Sequence, residues 1–216
     1  MINLLKNLLD FIWPQFCLGC NREGSICCAY CLNDIILKEQ ATIKWPEDNF
    51  YFEECLVCCD YQNEIVQKIL KKYKYSYLEN MADFLVTILE KQARRAGLDK
   101  NTIISNIPLH NKKKKQRGFD QTEILAKKLA KKLDLKYSPL LKRIKQTKTQ
   151  AQLSKTARQK NVKGVFEALS TDLTHDAPSI VLIDDIATTG STLNQAALAL
   201  KNIGHQKIIC LVIAKN

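Results

Sequence analysis

The sequence predicts an α/β fold, a parallel β-sheet covered by helices on both faces. Strand-like and helical patterns alternate along the chain from about residue 50 onwards. The segment Ile180–Ile183 is a run of four apolar, β-favouring residues, which is typical of a central parallel strand buried on both sides. A polar loop and then a helical pattern follow this strand, as expected for a strand–loop–helix unit.

Hydrophobic periodicity places the individual elements. Apolar residues at helical spacing indicate the helices, and Gly97 and Gly204 fit the helix ends that they follow. The predicted strands are residues 51–61 (one or two strands), 102–107, 180–183 and 207–214, and the predicted helices are 64–73, 78–95, 119–133 and 192–203.

The length of 216 residues allows one substantial core and a small appendage. We expect residues 1–45 to form an N-terminal helix and a cysteine-rich segment, and residues 46–216 to form the main domain. Residues 1–13 are apolar on one broad face but include Lys6 and Asp10, so they predict an amphipathic helix and neither a membrane span nor a signal peptide. The expected location is therefore the cytoplasm, with reduced thiols.

The positive charge is concentrated in one part of the chain. The formal net charge is +11, and residues 110–163 alone contain 18 Lys and Arg against 3 Asp and Glu. A local positive field of this kind attracts polyanions, such as nucleic acid, pyrophosphate or an acidic membrane surface. For the lysines of the predicted helix at 123–133, a solvated surface is an equally good interpretation.

The segment 180–192 predicts a site for a sugar phosphate. Its strand delivers Asp184 and Asp185 at the carboxyl end, where ligands bind in open α/β sheets. The following loop opens a helix, whose free N–H groups and dipole favour an anion. The acids suit the neutral vicinal hydroxyls of a ribose, or Mg²⁺ reached through water. The residues expected to bind the phosphate are Ala187, Thr188, Thr189, Gly190, Ser191 and Thr192.

A simpler interpretation of this segment is a capped helix after a strand. That interpretation explains one aspartate and one threonine, but not two acids and four hydroxyl residues around a glycine. The loop also contains no lysine, so it is not a Walker A motif.

A second basic loop follows the predicted strand at 102–107. His110, Lys112 and Arg117 are expected to bind a polyphosphate, because a basic turn at a sheet edge can clamp one. A lysine-rich surface turn is the alternative, and the neighbouring acidic loop favours the functional interpretation.

Cysteine spacing predicts a structural Zn²⁺ site. Cys17, Cys20, Cys28 and Cys31 form two CxxC pairs, each able to supply two thiolates to a tetrahedral ion, and reduced or redox-active thiols are the alternative. Cys28 forms a CxxC pair with Cys31, whereas Cys27 is one residue too far from Cys31 for that spacing. The remaining cysteines are expected to lie in the core: Cys55, Cys58, Cys59 and Cys210.

The residues 180–192 resemble the PRPP-binding motif of type I phosphoribosyltransferases. The resemblance implies a Rossmann-like α/β domain that holds 5-phosphoribosyl 1-pyrophosphate (PRPP) with Mg²⁺. It also implies that Asp184 and Asp185, the candidate catalytic residues, hold the ribose hydroxyls, while residues 187–192 hold the 5-phosphate.

Four segments in order resemble the ComF family of competence proteins, of the ComFC type. They are the cysteine-rich head, NIPLH…QRGFDQTEILA, LKR…NVKGVF and VLIDDIATTGST. The family combines a zinc-binding N-terminal segment of zinc-ribbon-like kind with a phosphoribosyltransferase-like domain and is associated with natural transformation. The sequence departs from the family at Asp120, where asparagine is expected, and in the lysine run at 112–115.

These observations leave three functional hypotheses. The first is a competence protein whose PRPP-type site and basic region 110–163 act on single-stranded DNA, together with DNA-uptake or recombination proteins. The second is a metabolic phosphoribosyltransferase that acts on a small base or amine. The third is a sensor that binds PRPP or a nucleotide without catalysis. No side chain indicates the acceptor of a transfer reaction.

Overall fold

The computed structural model describes residues 15–43, 50–75, 79–145, 164–169 and 179–216. The predicted amphipathic helix at 1–13 lies outside these residues, as does most of the basic segment 143–163. Within the described ranges, none of the helices has both the length and the apolar character needed to cross a membrane.

Helices and strands alternate through most of the described chain. The helices are α1 (Ala29–Ile35), α2 (Glu64–Tyr75), α3 (Glu79–Arg95), α4 (Asn111–Arg117), α5 (Gln121–Leu133) and α6 (Ser191–Lys201). The strands are β1 (Ile36–Ile43), β2 (Glu54–Asp60), β3 (Ile103–Asn106), β4 (Lys136–Tyr137), β5 (Leu141–Arg143), β6 (Phe166–Ala168), β7 (Ile180–Ala187) and β8 (Ile208–Lys215).

A six-stranded sheet with the order β1-β2-β8-β7-β3-β4 forms the centre of the fold. The pairs from β2 to β4 are all parallel, and only the edge strand β1 pairs antiparallel with its neighbour. The predicted parallel sheet is therefore confirmed. Because β3 and β7 are adjacent and parallel, their carboxyl ends lie side by side, and the loops that follow them share one edge of the sheet.

Each face of the sheet has its own hydrophobic core. One face packs against α2, α3 and α5 and includes Leu56, Val181 and Ile183. The other face packs against α6 and a small hairpin of β5 and β6, and it includes Ile180 and Leu182. The strand β7 thus contributes alternate side chains to both cores, as its apolar run predicted.

The core cysteines confirm the sequence-based interpretation. Cys55 contributes to the core beside α6, and Cys58 and Cys59 contribute to the opposite core. All three are buried, as is Cys210 in β8. Cys55 and Cys58 therefore lie on opposite faces and do not share a chelation site.

The cysteine-rich segment packs directly on the main domain. Cys17, Ile26 and Ile35 belong to the same hydrophobic cluster as α2, α3 and α5. The strand β1, which we had grouped with residues 1–45, forms the edge of the main sheet. The sequence did not reveal this strand, because its polar side chains follow no apolar alternation.

Asp120 connects the two ends of the loop that follows β3. Its carboxylate accepts hydrogen bonds from the backbone N–H groups of Thr122 (3.2 Å) and Glu123 (3.3 Å) at the start of α5. The other oxygen accepts from the N–H of Leu109 at 2.8 Å. Asp120 is therefore the N-cap of α5 and also fixes the entry to α4.

We expect Asp120→Ala to lower the free energy of unfolding by about 1 to 3 kcal/mol, because it removes the cap and leaves the Leu109 N–H without an acceptor. Asp120→Asn should cost less, because its remaining oxygen can still cap α5. Urea unfolding followed by circular dichroism measures both changes. Equal stability of wild type and Asp120→Ala would contradict this role.

Candidate functional site

The two acids of the predicted site lie at the carboxyl end of β7, but on opposite faces of the sheet. They are neighbours on a strand, and successive side chains on a strand point to opposite sides. Asp184 is partly buried, on the side of α6 and the β5–β6 hairpin. Asp185 is buried, on the side of α2 and α5.

Asp185 is held by two side chains that come from different helices. The ammonium group of Lys74, near the end of α2, lies 2.8 Å from Oδ2 of Asp185. Nε2 of Gln121, the first residue of α5, donates to the same oxygen at 3.1 Å. Arg117 in turn donates from Nη1 to Oε1 of Gln121 at 2.6 Å. A continuous polar network therefore joins β7 to α2, α4 and α5.

The two acids lie in different electrostatic environments. Burial and the negative charge of Asp185 raise the pKa of Asp184. Burial acts in the same direction on Asp185, but the Lys74 ammonium and the Gln121 amide outweigh it and hold the pKa of Asp185 below its ordinary value. Asp184 therefore keeps a proton more readily than Asp185, and Asp185 is the stronger hydrogen-bond acceptor of the two.

The hydroxyl-rich loop forms the start of α6. Gly190 adopts a left-handed conformation (φ 72°) as the N-cap, and the N–H of Ser191 donates to the hydroxyl of Thr189 at 3.4 Å. The hydroxyls of Thr189 and Ser191 lie 2.7 Å apart. The first N–H groups of α6 thus meet neighbouring hydroxyls at the sheet edge that carries the acids, an arrangement suited to a phosphate.

Cations gather on the side of the site formed by α4 and the β5–β6 hairpin. The basic turn predicted after β3 is a helix, α4. Its N-cap is His110, and Nδ1 of His110 accepts a hydrogen bond from the backbone N–H of Lys112 at 3.2 Å. Lys112 itself is exposed, whereas Lys113 is half-buried and turned towards the site. Burial, together with the charges of Arg143, Arg117 and Lys74, lowers the pKa of Lys113. Positive groups that crowd together in this way favour an anion between them.

Arg143 closes the site from the hairpin. It is the last residue of β5, and its guanidinium carbon lies 5.4 Å from the ring centroid of Phe166 in β6. Burial lowers its pKa, and the negative charge of Asp184 opposes that effect. Arg143 therefore faces the acid that points to the α6 side, while Lys74 holds the acid that points to the other side.

Sequence reasoning missed Lys74 and chose Lys112 where the structure turns Lys113 inward. The predicted helix ended at residue 73, so Lys74 was not considered; the continued spacing of Ile69, Leu70 and Tyr73 was the available signal. In the lysine run 112–115, composition cannot identify the buried member, because that depends on the pitch of α4. Residues 147–161, which belong to the quoted segment LKR…NVKGVF, lie outside the described residues.

The four predicted metal-binding cysteines lie together. The sulfur atoms of Cys17, Cys20, Cys28 and Cys31 all lie within 4.8 Å of one another, a group that could hold a metal ion such as zinc. Cys27 is not a member of this group, although it is adjacent in sequence. The group therefore agrees with the regular CxxC spacing and fits the predicted zinc-ribbon-like element.

Gly19 makes the cysteine group compact. A Cβ at this position would lie 2.8 Å from the Sγ of Cys31 and 2.7 Å from the Cδ1 of Ile65. Burial acts to raise the pKa of Cys17, but hydrogen bonds from backbone N–H groups hold it at about 6. A thiolate at this position is the form that binds metal.

Comparison with known proteins agrees with this geometry. The phosphoribosyl transferase domain family matches residues 121–216, which include α5, the acids and the hydroxyl-rich loop. The competence protein F of Haemophilus influenzae is 25% identical over 198 residues, which cover 89% of this chain and 81% of that protein.

Two further relatives match a shorter part of the chain. The DNA utilization protein YhgH of Salmonella typhimurium is 31% identical over 62% of this chain and 60% of its own length. The competence protein ComFC of Bacillus subtilis is 26% identical over 66% of this chain and 56% of its own length. These alignments therefore span less than two thirds of those two proteins.

Proposed function

We propose that this chain, which belongs with the ComF-type competence proteins and carries a phosphoribosyltransferase domain, binds PRPP and acts on single-stranded DNA. One observation carries the PRPP site: a hydroxyl-rich helix start, a pair of acids and several cations converge at one edge of the sheet. These are the three chemical groups that a phosphorylated ribose with a pyrophosphate needs.

The 5-phosphate would bind at residues 187–192. The N–H groups that open α6 and the hydroxyls of Thr188, Thr189 and Ser191 are its proposed donors, with Thr192 in the same turn. The 2- and 3-hydroxyls of the ribose would meet Asp184 and Asp185. The raised pKa of Asp184 and the lowered pKa of Asp185 support this assignment, because a sugar hydroxyl both donates and accepts.

The pyrophosphate would lie towards α4. Lys113 supplies a cation that interacts with Asp185, and Arg117 binds the Gln121 side chain that holds the same acid. His110 and Lys112 lie at the start of the same helix. Mg²⁺ bound with the ligand would neutralise further charge on the pyrophosphate. If transfer occurs, these cations stabilise the departing pyrophosphate while the acids hold the ribose, and no covalent intermediate is required.

The DNA role is supported by the competence names of the relatives and by the charge of α4. Three of the lysines of α5 are engaged elsewhere: Lys127 pairs with Glu123, Lys128 with Asp83 and Lys132 with Glu90. This pairing favours the solvated-surface interpretation for α5. Among the described residues, Lys114 of α4 also pairs with Glu123, whereas Lys112 and Lys115 of the same helix are exposed beside the proposed PRPP site.

We also propose a structural Zn²⁺ ion at the four-cysteine group and a cytoplasmic location for the protein. All nine cysteines are free thiols, as a reducing compartment would keep them. DNA-uptake or recombination proteins are the proposed partners, because they would deliver or receive the single strand.

The PRPP site predicts that calorimetry with Mg²⁺ detects PRPP binding to the wild type. Replacing both acids by asparagine should weaken that binding at least about tenfold, because loss of the charge-assisted hydrogen bond at Asp185 alone removes about 1.5 to 3 kcal/mol. The matched control is Asp134→Asn, at an exposed left-handed position about 20 Å along α5 from Gln121. Equal PRPP affinity of the double variant and wild type would exclude this site.

Pyrophosphate release by the wild type distinguishes the competence hypothesis from the metabolic alternative. A phosphoribosyltransferase acting on a small base or amine would release pyrophosphate from PRPP when one of these acceptors is added, and Asp185→Asn would abolish the release. Binding of PRPP without release in any mixture would favour a sensor.

The DNA role predicts that binding of an oligothymidylate weakens steeply with salt. Lys112→Gln with Lys115→Gln should make the slope of log affinity against log salt shallower by about 1.4, at about 0.7 per lost phosphate contact. Lys127→Gln with Lys132→Gln is the control, because these lysines already pair with carboxylates. Fluorescence anisotropy measures both; a flat salt profile for wild type contradicts the role.

The zinc site predicts one zinc ion per chain in the purified wild type. Cys28→Ser should lose most of this zinc, because it removes one of four thiolates. The neighbouring Cys27→Ser should retain it. Elemental analysis of the two purified variants gives the answer, and equal zinc contents would refute the assignment of the ligands.

A further inference from the structure

Tyr75 is an aromatic side chain left in solvent beside the site. It is the last residue of α2, directly after Lys74, and 75% of its surface is exposed. A large aromatic ring gains free energy when it is covered, so an exposed ring next to a binding site is a candidate contact for a ligand.

The backbone that carries Tyr75 is held firmly in place. Tyr73, two residues earlier, is fully buried and donates from its hydroxyl to the carbonyl oxygen of Gln121 at 2.9 Å. Its ring centroid lies 6.3 Å from that of Phe119. The end of α2 is thus fixed against the start of α5, and Tyr75 projects from a rigid support.

A chain of contacts joins Tyr75 to the acids. The guanidinium carbon of Arg117 lies 6.0 Å from the centroid of the Tyr75 ring. Arg117 binds Gln121, and Gln121 binds Asp185. The residue before Tyr75, Lys74, forms the ion pair with the same Asp185. The exposed ring therefore belongs to the same network as the proposed ribose site.

We propose that Tyr75 is the stacking surface for a nucleobase. This proposal rests on the PRPP-type site: the ribose phosphate would occupy the acids and the hydroxyl-rich loop, and the base would cover the tyrosine ring. A planar base fits a single exposed ring, and the contacts from Arg117 through Gln121 to Asp185 join that ring to the proposed ribose site. A guanidinium beside the ring adds attraction through its charge.

The base has two sources, a free nucleotide or a nucleotide within single-stranded DNA. Both present the same planar surface to Tyr75, and both carry a sugar and a phosphate on the same base. A positively charged surface with an aromatic platform is the arrangement that binds single strands without sequence preference.

The test compares ligands with and without a base on three proteins. Wild type, Tyr75→Leu and Tyr75→Phe are titrated by calorimetry with thymidine 5′-monophosphate and with ribose 5-phosphate. The same proteins are titrated with a labelled oligothymidylate and with an abasic oligonucleotide of equal length. Leucine removes the aromatic ring but keeps an apolar side chain, and phenylalanine keeps the ring.

We expect Tyr75→Leu to weaken the base-containing ligands about tenfold, which is within the range for loss of one stacked base. Ribose 5-phosphate and the abasic strand should bind as they do to wild type, and Tyr75→Phe should restore the affinity. An effect on thymidine 5′-monophosphate and the oligonucleotide together assigns the site to any nucleotide. An effect on the oligonucleotide alone assigns it to single-stranded DNA.

Two outcomes overturn the proposal. One is unchanged affinity of Tyr75→Leu for every base-containing ligand. The other is an equal loss for ligands with and without a base, which would mean that Tyr75 supports the pocket by packing. Failure of ribose 5-phosphate and PRPP to bind any of the proteins instead sinks the proposed PRPP site, and the oligonucleotide pair still tests the stacking.

Tyr30→Leu is the matched control for an exposed tyrosine. Its side chain is 73% exposed, and it belongs to the cysteine-rich segment. That segment packs at the other end of α2, where Gly19 meets Ile65, about 15 Å along the helix from Tyr75. Tyr30→Leu should leave all four affinities unchanged, and an equal loss in both variants would count against a specific role for Tyr75.

Discussion

The ion pair between Lys74 and Asp185 determines the character of the whole site. Two adjacent carboxyl groups at the end of a buried strand cannot both carry charge unless a cation compensates one of them. Lys74 supplies that cation at 2.8 Å and holds the pKa of Asp185 below its ordinary value, while burial and the charge of Asp185 raise the pKa of Asp184. The pair also fixes the end of α2 against the sheet, and it thereby positions Tyr75 at the rim. Charge state, helix position and the exposed aromatic surface therefore have a common origin.

Sheet topology brings the remaining groups to this ion pair. The strands β3 and β7 are parallel neighbours, so the α4–α5 segment after one and the hydroxyl-rich loop after the other open at the same edge. Asp120 holds the α4–α5 segment by accepting from both Leu109 and Thr122. This capping explains why Asp120 is tolerated in a basic loop, because its carboxylate accepts hydrogen bonds from backbone N–H groups at a helix start. Within α4, Lys114 pairs with Glu123 and Arg117 donates to Gln121. The candidates for contact with a polyanion are therefore Lys112, Lys113 and Lys115.

The sequence was sufficient for features that are local in the chain. The apolar run before Asp184, the hydroxyl-rich loop and the cysteine spacing each contain their own evidence, and the parallel sheet and the four-cysteine group are confirmed. It was insufficient where a residue acts through a partner far along the chain. Lys74 and Asp185, which form an ion pair, are 111 positions apart in the sequence. The pairing of β1 with β2 depends on backbone hydrogen bonds, which the sequence pattern of a polar strand does not predict. The burial of Lys113 depends on helix pitch and neighbours, which the composition of a lysine run does not contain.

The same ion pair restricts which ligands the acids can accept. Its side chains are only 23% and 12% exposed, and separating a buried pair leaves an uncompensated charge at a cost of about 3 to 5 kcal/mol. A ligand that brings only neutral hydroxyls can bind beside the pair without breaking it, by exchanging hydrogen bonds with Gln121 and with the carboxyl group of Asp184. A free divalent cation would have to compete with Lys74 for Asp185. The acids are therefore better suited to the diol of a sugar than to a resident metal ion, and a magnesium ion at this edge gains more from the phosphates of the ligand than from the protein.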